Sequence, residues 1–224
     1  MLPKTLDHVA LWVADRDAIA DLAVAHLGMH VIDRTDNFTL IGSDARRGKL
    51  TLFAAAAPRE QGALKHVALR VSDLEAARAE LPAGAGEAIE VGEGLTVRLV
   101  EAPTDVDYDL DHVALYSARP EQTAGEYVGL GFRPAPPLDG IPRVEVGGAF
   151  VEFHPGEPGE PDRPLLNHLA VLVDSADEHI AEAKDAGVEI DDVVDAANTY
   201  AVFLWGPERV RIEYVEHKPT FSLR

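Results

Sequence analysis

The chain has 224 residues, is 46% hydrophobic and contains no cysteine, which allows one large or two small domains and excludes disulfides, thiolate zinc sites and a cysteine nucleophile. Its 39 acidic and 20 basic residues give a net charge of −19, which repels phosphate backbones and argues against a nucleic-acid partner. No apolar run approaches the roughly 18 residues of a membrane helix, and no basic-then-apolar leader precedes the first strand, so a cytoplasmic protein without a membrane partner is expected. Dense acidity also fits adaptation to high salt, where screening tolerates like charge.

A phrase recurs along the chain: Leu6-Asp7-His8-Val9-Ala10-Leu11, Leu64-Lys65-His66-Val67-Ala68-Leu69, Leu110-Asp111-His112-Val113-Ala114-Leu115 and Leu166-Asn167-His168-Leu169-Ala170-Val171. Internal repeats of this length mark a fold built from copies of one unit. The first copy alternates as a strand, with Leu6, His8, Ala10 and Trp12 on one face and Asp7, Val9, Leu11 and Val13 on the other. A helix over 15–27 follows, stopped by Gly28, and strands are expected at 38–41 and 49–54. The second unit repeats this with a helix over 73–81 and strands at 87–91 and 95–100. The third has a helix over 120–128, with Pro120 at its start, and strands at 143–146 and 149–154. The fourth has a helix over 176–186, with Gly187 placed for a left-handed cap, and strands at 200–205 and 210–215.

The plan is β-α-β-β-β, four times, an α+β fold. Pro-, Gly- and acid-rich segments at 57–62, 102–109 and 155–164 separate the units. The middle one is the expected domain boundary. It divides the chain into paired-unit domains at 1–103 and 108–218, each a curved mixed sheet around a cavity with helices outside.

Period two places Glu213 opposite Ile212 and Tyr214, and Glu152 between Val151 and Phe153. The second half therefore offers His112, Glu152, His168 and Glu213 as metal ligands. In the first half Leu52 is counted at the place of Glu152, and Arg98 or Val100 at the corresponding place in the second unit. His8 and His66 are accordingly read as structural remnants of duplication. His154 shares a face with Glu152, and His217 and Glu216 are read as surface residues.

The four openings and the Phe203-Leu204-Trp205-Gly206-Pro207-Glu208-Arg209-Val210-Arg211-Ile212-Glu213-Tyr214 ending resemble the vicinal oxygen chelate superfamily, which includes glyoxalase I, bleomycin-resistance proteins and extradiol dioxygenases. The resemblance spans nearly the whole chain. It implies a divalent metal held by His112, His168 and Glu213 in the C-terminal pair, with a metal-free N-terminal pair. Two imidazoles and a carboxylate form a facial triad suited to Fe(II), which is favoured over Mn, Zn or Ni. The implied activity is dioxygenation of a small catechol-like substrate. The alternatives are glyoxalase-like Lewis-acid isomerase or lyase chemistry, marked by Glu152 as a fourth ligand, and non-catalytic small-molecule binding of the resistance type. Tyr200 or His154 is a candidate supporting residue at the site, Phe203 stands where a tyrosine is usual, and a homodimer is compatible with the family.

Overall fold

The computed structural model describes residues 2–86 and 88–223. Glu87, the expected start of one strand, lies outside the described residues. The first unit runs β1 (Thr5–Val13), α1 (Arg16–His26), β2 (His30–Arg34), β3 (Phe38–Gly42) and β4 (Lys49–Ala54). The second runs β5 (Leu64–Val71), α2 (Leu74–Glu80), β6 (Ala88–Gly92) and β7 (Leu95–Glu101). The third runs β8 (Asp109–Ser117), α3 (Pro120–Gly129), β9 (Arg133–Leu138), β10 (Ile141–Val146) and β11 (Ala149–Pro155). The fourth runs β12 (Leu166–Leu172), α4 (Ala176–Ala186), β13 (Ile190–Asp195), β14 (Thr199–Trp205) and β15 (Arg211–His217), with a 3-10 turn at Pro207–Arg209.

The helix ends follow local chemistry. Asp15, Asp73 and Ser175 each accept a hydrogen bond from a backbone N–H of the first turn, satisfying donors that have no partner inside the helix. Gly187 closes α4 at φ 68°, where a side chain would be strained.

The α+β class and the two curved mixed sheets are as expected, but the pairing of units is not. One sheet has the order β13-β14-β15-β12-β1-β4-β3-β2 and the other β6-β7-β5-β8-β11-β10-β9. Unit one therefore pairs with unit four, and unit two with unit three. The expected domains, 1–103 and 108–218, each cut across both sheets. All four opening strands carry the same pattern, so the pattern alone does not choose a partner. Connections between the sheets do. The segments joining units one to two and three to four run side by side, bridged at Glu60 and Pro164. The Leu165 N–H donates to the Glu60 carbonyl at 2.7 Å, and the Trp12 N–H to the Leu165 carbonyl at 2.8 Å. One apolar cluster then spans both sheets and their helices, drawing in Leu11, Ile19, Leu69, Tyr127 and Tyr214.

Each opening strand carries an irregularity that positions the site. The pairing of β1 with β12 skips Asp7 on one strand and Asn167 on the other, and that of β5 with β8 skips Lys65 and Asp111. In every copy the skipped residue immediately precedes the histidine. Two residues oppose one at such a bulge, so the strand changes phase there. Strict alternation would place Asp7 with the core. Instead Leu6 joins the core, and Asp7 and His8 both line the concave cavity.

Candidate metal centre

Period two along β15 sends Ile212 and Tyr214 into the core and Glu213 to the concave side, as expected. Tyr214 packs beside His179 of α4 at 5.2 Å between ring centroids, and its hydroxyl donates to the Leu130 carbonyl at 2.6 Å. That anchors the strand from behind. On the concave side Glu213 lies next to Ala170 of β12, two residues beyond His168.

The third member of the cluster is His8, not His112. The Nε2 atoms of His8 and His168 are 3.1 Å apart. Glu213 Oε2 lies 3.3 Å from His8 Nε2 and 3.0 Å from His168 Nε2. Among the described residues these three form a group whose ligand atoms are close enough to share one ion. The antiparallel pairing of β1 with β12 sets His168 opposite Ala10 and His8 opposite Ala170, which brings the two rings to one point. His112 and Glu152 are on the other sheet, where His112 Nε2 lies 3.0 Å from His66 Nε2. The reading of His8 as a remnant, and of His112 and Glu152 as partners of His168 and Glu213, is corrected by this pairing of units.

The donor set suits a metal ion. The His8 Nδ1–H donates to Asp7 Oδ1 at 2.8 Å, and the His168 Nδ1–H to Asn167 Oδ1 at 2.9 Å. Those acceptors place the ring proton on Nδ1 and leave a lone pair on Nε2. Two lone pairs and a carboxylate then converge, an arrangement that calls for a cation between them. Ligands about 2.1 Å from one ion and at right angles to each other lie about 3.0 Å apart, close to the separations here.

A proton can take that place. Burial works against charge on His8, but Asp7 and Glu213 outweigh it and lift its pKa to about 9. Burial raises Glu213, but His168 and His8 more than reverse this and bring it to about 2. His168 is pushed below its usual value by burial, with Glu213 opposing. Asp7 would also be raised by burial, but Lys49, His217 and His8 hold it well below the usual carboxylate range. Lys49 Nζ donates to Asp7 Oδ1 at 2.8 Å, and His217 Nε2 lies 3.0 Å from Asp7 Oδ2. His217 is thus part of the site and not of the outer surface. Glu216 accepts from the Ala176 N–H at 3.0 Å, so it serves the start of α4.

The remaining expectations fall as follows. Thr51, not Leu52, is the counterpart of Glu213 in the first unit, because it lies beside Ala10 as Glu213 lies beside Ala170. Leu52 is in the core. Tyr200 donates to Asp177 at 3.1 Å, and His154 bonds Glu152 on the second sheet; neither lines this cavity. Phe203 does, with its ring 5.2 Å from that of His168. The cavity holds about 550 Å³, and Trp12, Phe38, Phe53, Phe203 and Phe221 contribute to its wall. The signal available for His8 was its word-for-word match to the third copy of the repeat. No local signal distinguished which copy would meet His168.

Among the described residues no helix is long and apolar enough to cross a membrane. Residues 5–106 match the family model described as Glyoxalase/Bleomycin resistance protein/Dioxygenase superfamily. Compared with curated protein sequences, the chain has no match. Among solved structures it is similar to a "putative dioxygenase" from Bacillus subtilis subsp. subtilis str. 168, at 14% identity and TM-score 0.75, covering 98% of this chain and 87% of that one. It is similar to glyoxalase I from Zea mays, at 14% identity and TM-score 0.71, over 95% and 92% of the two chains. A third is the cppA protein from Streptococcus pneumoniae TIGR4, at 14% identity and TM-score 0.64, over 96% and 98%. At such identities the likeness to solved structures establishes the fold alone, and the family model matches the first two units of the chain.

Proposed function

We propose that the protein is a metal-dependent dioxygenase acting on a small aromatic compound with two vicinal oxygens, and that His8, His168 and Glu213 hold the metal. The observation that carries this reading is the three-donor set with Thr51, not a second glutamate, at the fourth place. A Lewis-acid centre of the glyoxalase kind commonly adds a second carboxylate, and the residue read for that place, Glu152, belongs to the other sheet. Three ligands leave more of the coordination sphere to substrate oxygens and O₂.

Iron(II) is favoured, since it supplies the redox chemistry for passing electrons from a catecholate to O₂. Mn(II) can serve similarly, and Zn or Ni would favour the Lewis-acid alternative. The protein's own groups do the rest. Asp7 and Asn167 hold the two rings with Nε2 toward the cavity. Phe53 and Phe203 flank His168, with centroids 6.1 and 5.2 Å from its ring, so that a flat ring entering the cavity meets apolar walls and water is displaced. Lys49 and His217 share Asp7 at the cavity wall, keeping that carboxylate charged and the His8 proton on Nδ1.

The test is metal analysis of anaerobically purified protein, with O₂ uptake measured on adding catechols. The wild type is expected to hold one metal per chain and to consume O₂. Glu213→Ala and His8→Ala are expected to lower metal affinity at least tenfold, and Glu152→Ala to keep it. Full occupancy in Glu213→Ala overturns the site. Metal without O₂ uptake, with turnover of a methylglyoxal–thiol adduct, selects the glyoxalase-like reading. Ligand binding without any metal selects a resistance-type binding protein.

A further inference from the structure

The second sheet carries a near-copy of the donor set. His66 faces Ala114, His112 faces Ala68, and Glu152 lies beside Ala114. His8, His168 and Glu213 stand in the same relation to Ala170 and Ala10. The Nε2 atoms of His66 and His112 are 3.0 Å apart, and the His112 Nδ1–H donates to Asp111 Oδ1 at 2.7 Å. Up to this point the two clusters match.

Three residues break the likeness. At the bulge before each histidine, Asp7, Asp111 and Asn167 accept from the ring Nδ1–H. Lys65 occupies that place in the second unit, and an ammonium can only donate. Lys65 Nζ bonds His154 Nδ1 at 2.9 Å. That leaves the proton of His154 on Nε2, from which it donates to Glu152 Oε2 at 3.2 Å. His154 stands two residues past Glu152, where Val215 follows Glu213. The Glu152 carboxylate is accordingly 3.7 Å from His112 Nε2, against 3.0 Å between Glu213 and His168. Finally, Arg98 lies beside Ala68, where Thr51 lies beside Ala10 in the first cluster.

The proton count differs as a result. In the first cluster three acceptors face one another. In the second each acceptor meets a donor: the His66 Nε2–H points to His112 Nε2, whose own proton is on Nδ1, and His154 answers Glu152. We infer that His66, His112 and Glu152 form a latent second divalent-cation site, kept metal-free by Lys65, which brings through His154 the positive charge a metal would supply.

The comparison with the first cluster rests on reading that cluster as a metal centre, and the experiment separates the two. Equilibrium dialysis of the whole protein against Co(II), with metal counted per chain, compares the wild type, Lys65→Asp, Lys65→Asn, and Lys65→Asp combined with His112→Ala. Lys65→Asp restores the acceptor found at positions 7 and 111 and removes the ammonium; Lys65→Asn copies position 167 and decides the matter if the first variant does not fold. The expected counts are one, two, two and one. A wild type that binds two, or a folded Lys65 variant that stays at the wild-type count, overturns the inference. A wild type at zero with Lys65→Asp at one removes the metal reading of the first cluster and leaves this one standing.

Discussion

The residue that precedes each histidine decides what the histidine can do. An acceptor there holds the ring proton on Nδ1 and turns a lone pair toward the cavity, and a donor cannot. In the metal-free protein the converging lone pairs of the first site are answered by a proton on His8. Its pKa in the folded chain, about 9, exceeds the ordinary imidazole value of 6.5. A raised pKa adds stability that is fully present below about pH 6.5 and is lost as pH rises through about 9. Glu213, lowered to about 2, contributes stability above about pH 4.5 that is lost as pH falls through about 2. Metal-free protein is therefore expected to melt at steadily lower temperature between pH 6.5 and 9, and His8→Gln should flatten that decline. A melting temperature that rises across this window, or a His8→Gln profile equal to wild type, contradicts the assignment. Glu213 was legible in the sequence because it sits in an unbroken period-two strand, and His168 because it stands in the repeated phrase that opens each unit. Asp7 was not, because a bulge turns it to the face opposite the one that alternation assigns.

At the scale of elements, helices and central strands were legible, and of the edge strands only β6 was, as the strand expected at 87–91. The helices end within a residue or two of the expected places, because caps and glycines are local signals. β2, β9 and β13 are mostly exposed edge strands, and β9 carries three prolines. Pro is tolerated at an edge, where its missing N–H leaves no ladder bond unmade, so such strands lack the alternation that marks a buried one. The turn between β10 and β11 shows how an element is held by its neighbour. Gly147 has φ 59°, and a Cβ there would lie 2.0 Å from the Lys4 carbonyl oxygen at the start of β1. Gly148 has φ 88° but would meet nothing within 4 Å. Gly148→Ala is expected to cost about 1–2 kcal/mol in urea unfolding, the strain of a left-handed residue. Gly147→Ala should cost more, because strand backbone must also shift. Equal losses would mean that the two sheets do not press together at this turn.

The whole molecule is discontinuous in sequence. Its candidate metal centre joins the first strand of the chain to the last, so no half of the chain contains it. A fragment of residues 108–218 would carry β8 and β12 with their partner edges bare, and edges of that kind aggregate. It is expected to show no cooperative melt and no metal binding, while the full chain shows both. A folded fragment with one bound metal would restore the pairing of consecutive units.

The sequence by itself determined the repeat, the β-α-β-β-β unit, the capped helices and two of the three residues of the candidate site, because strand periodicity and cap chemistry act over a few residues. Only the tertiary structure decided which copies meet. Four nearly identical opening strands have nearly identical edges, and the choice between them lies in contacts far apart along the chain: the bridge of Glu60 to Pro164 and the core shared by both sheets. Those contacts set His8, and not His112, against His168.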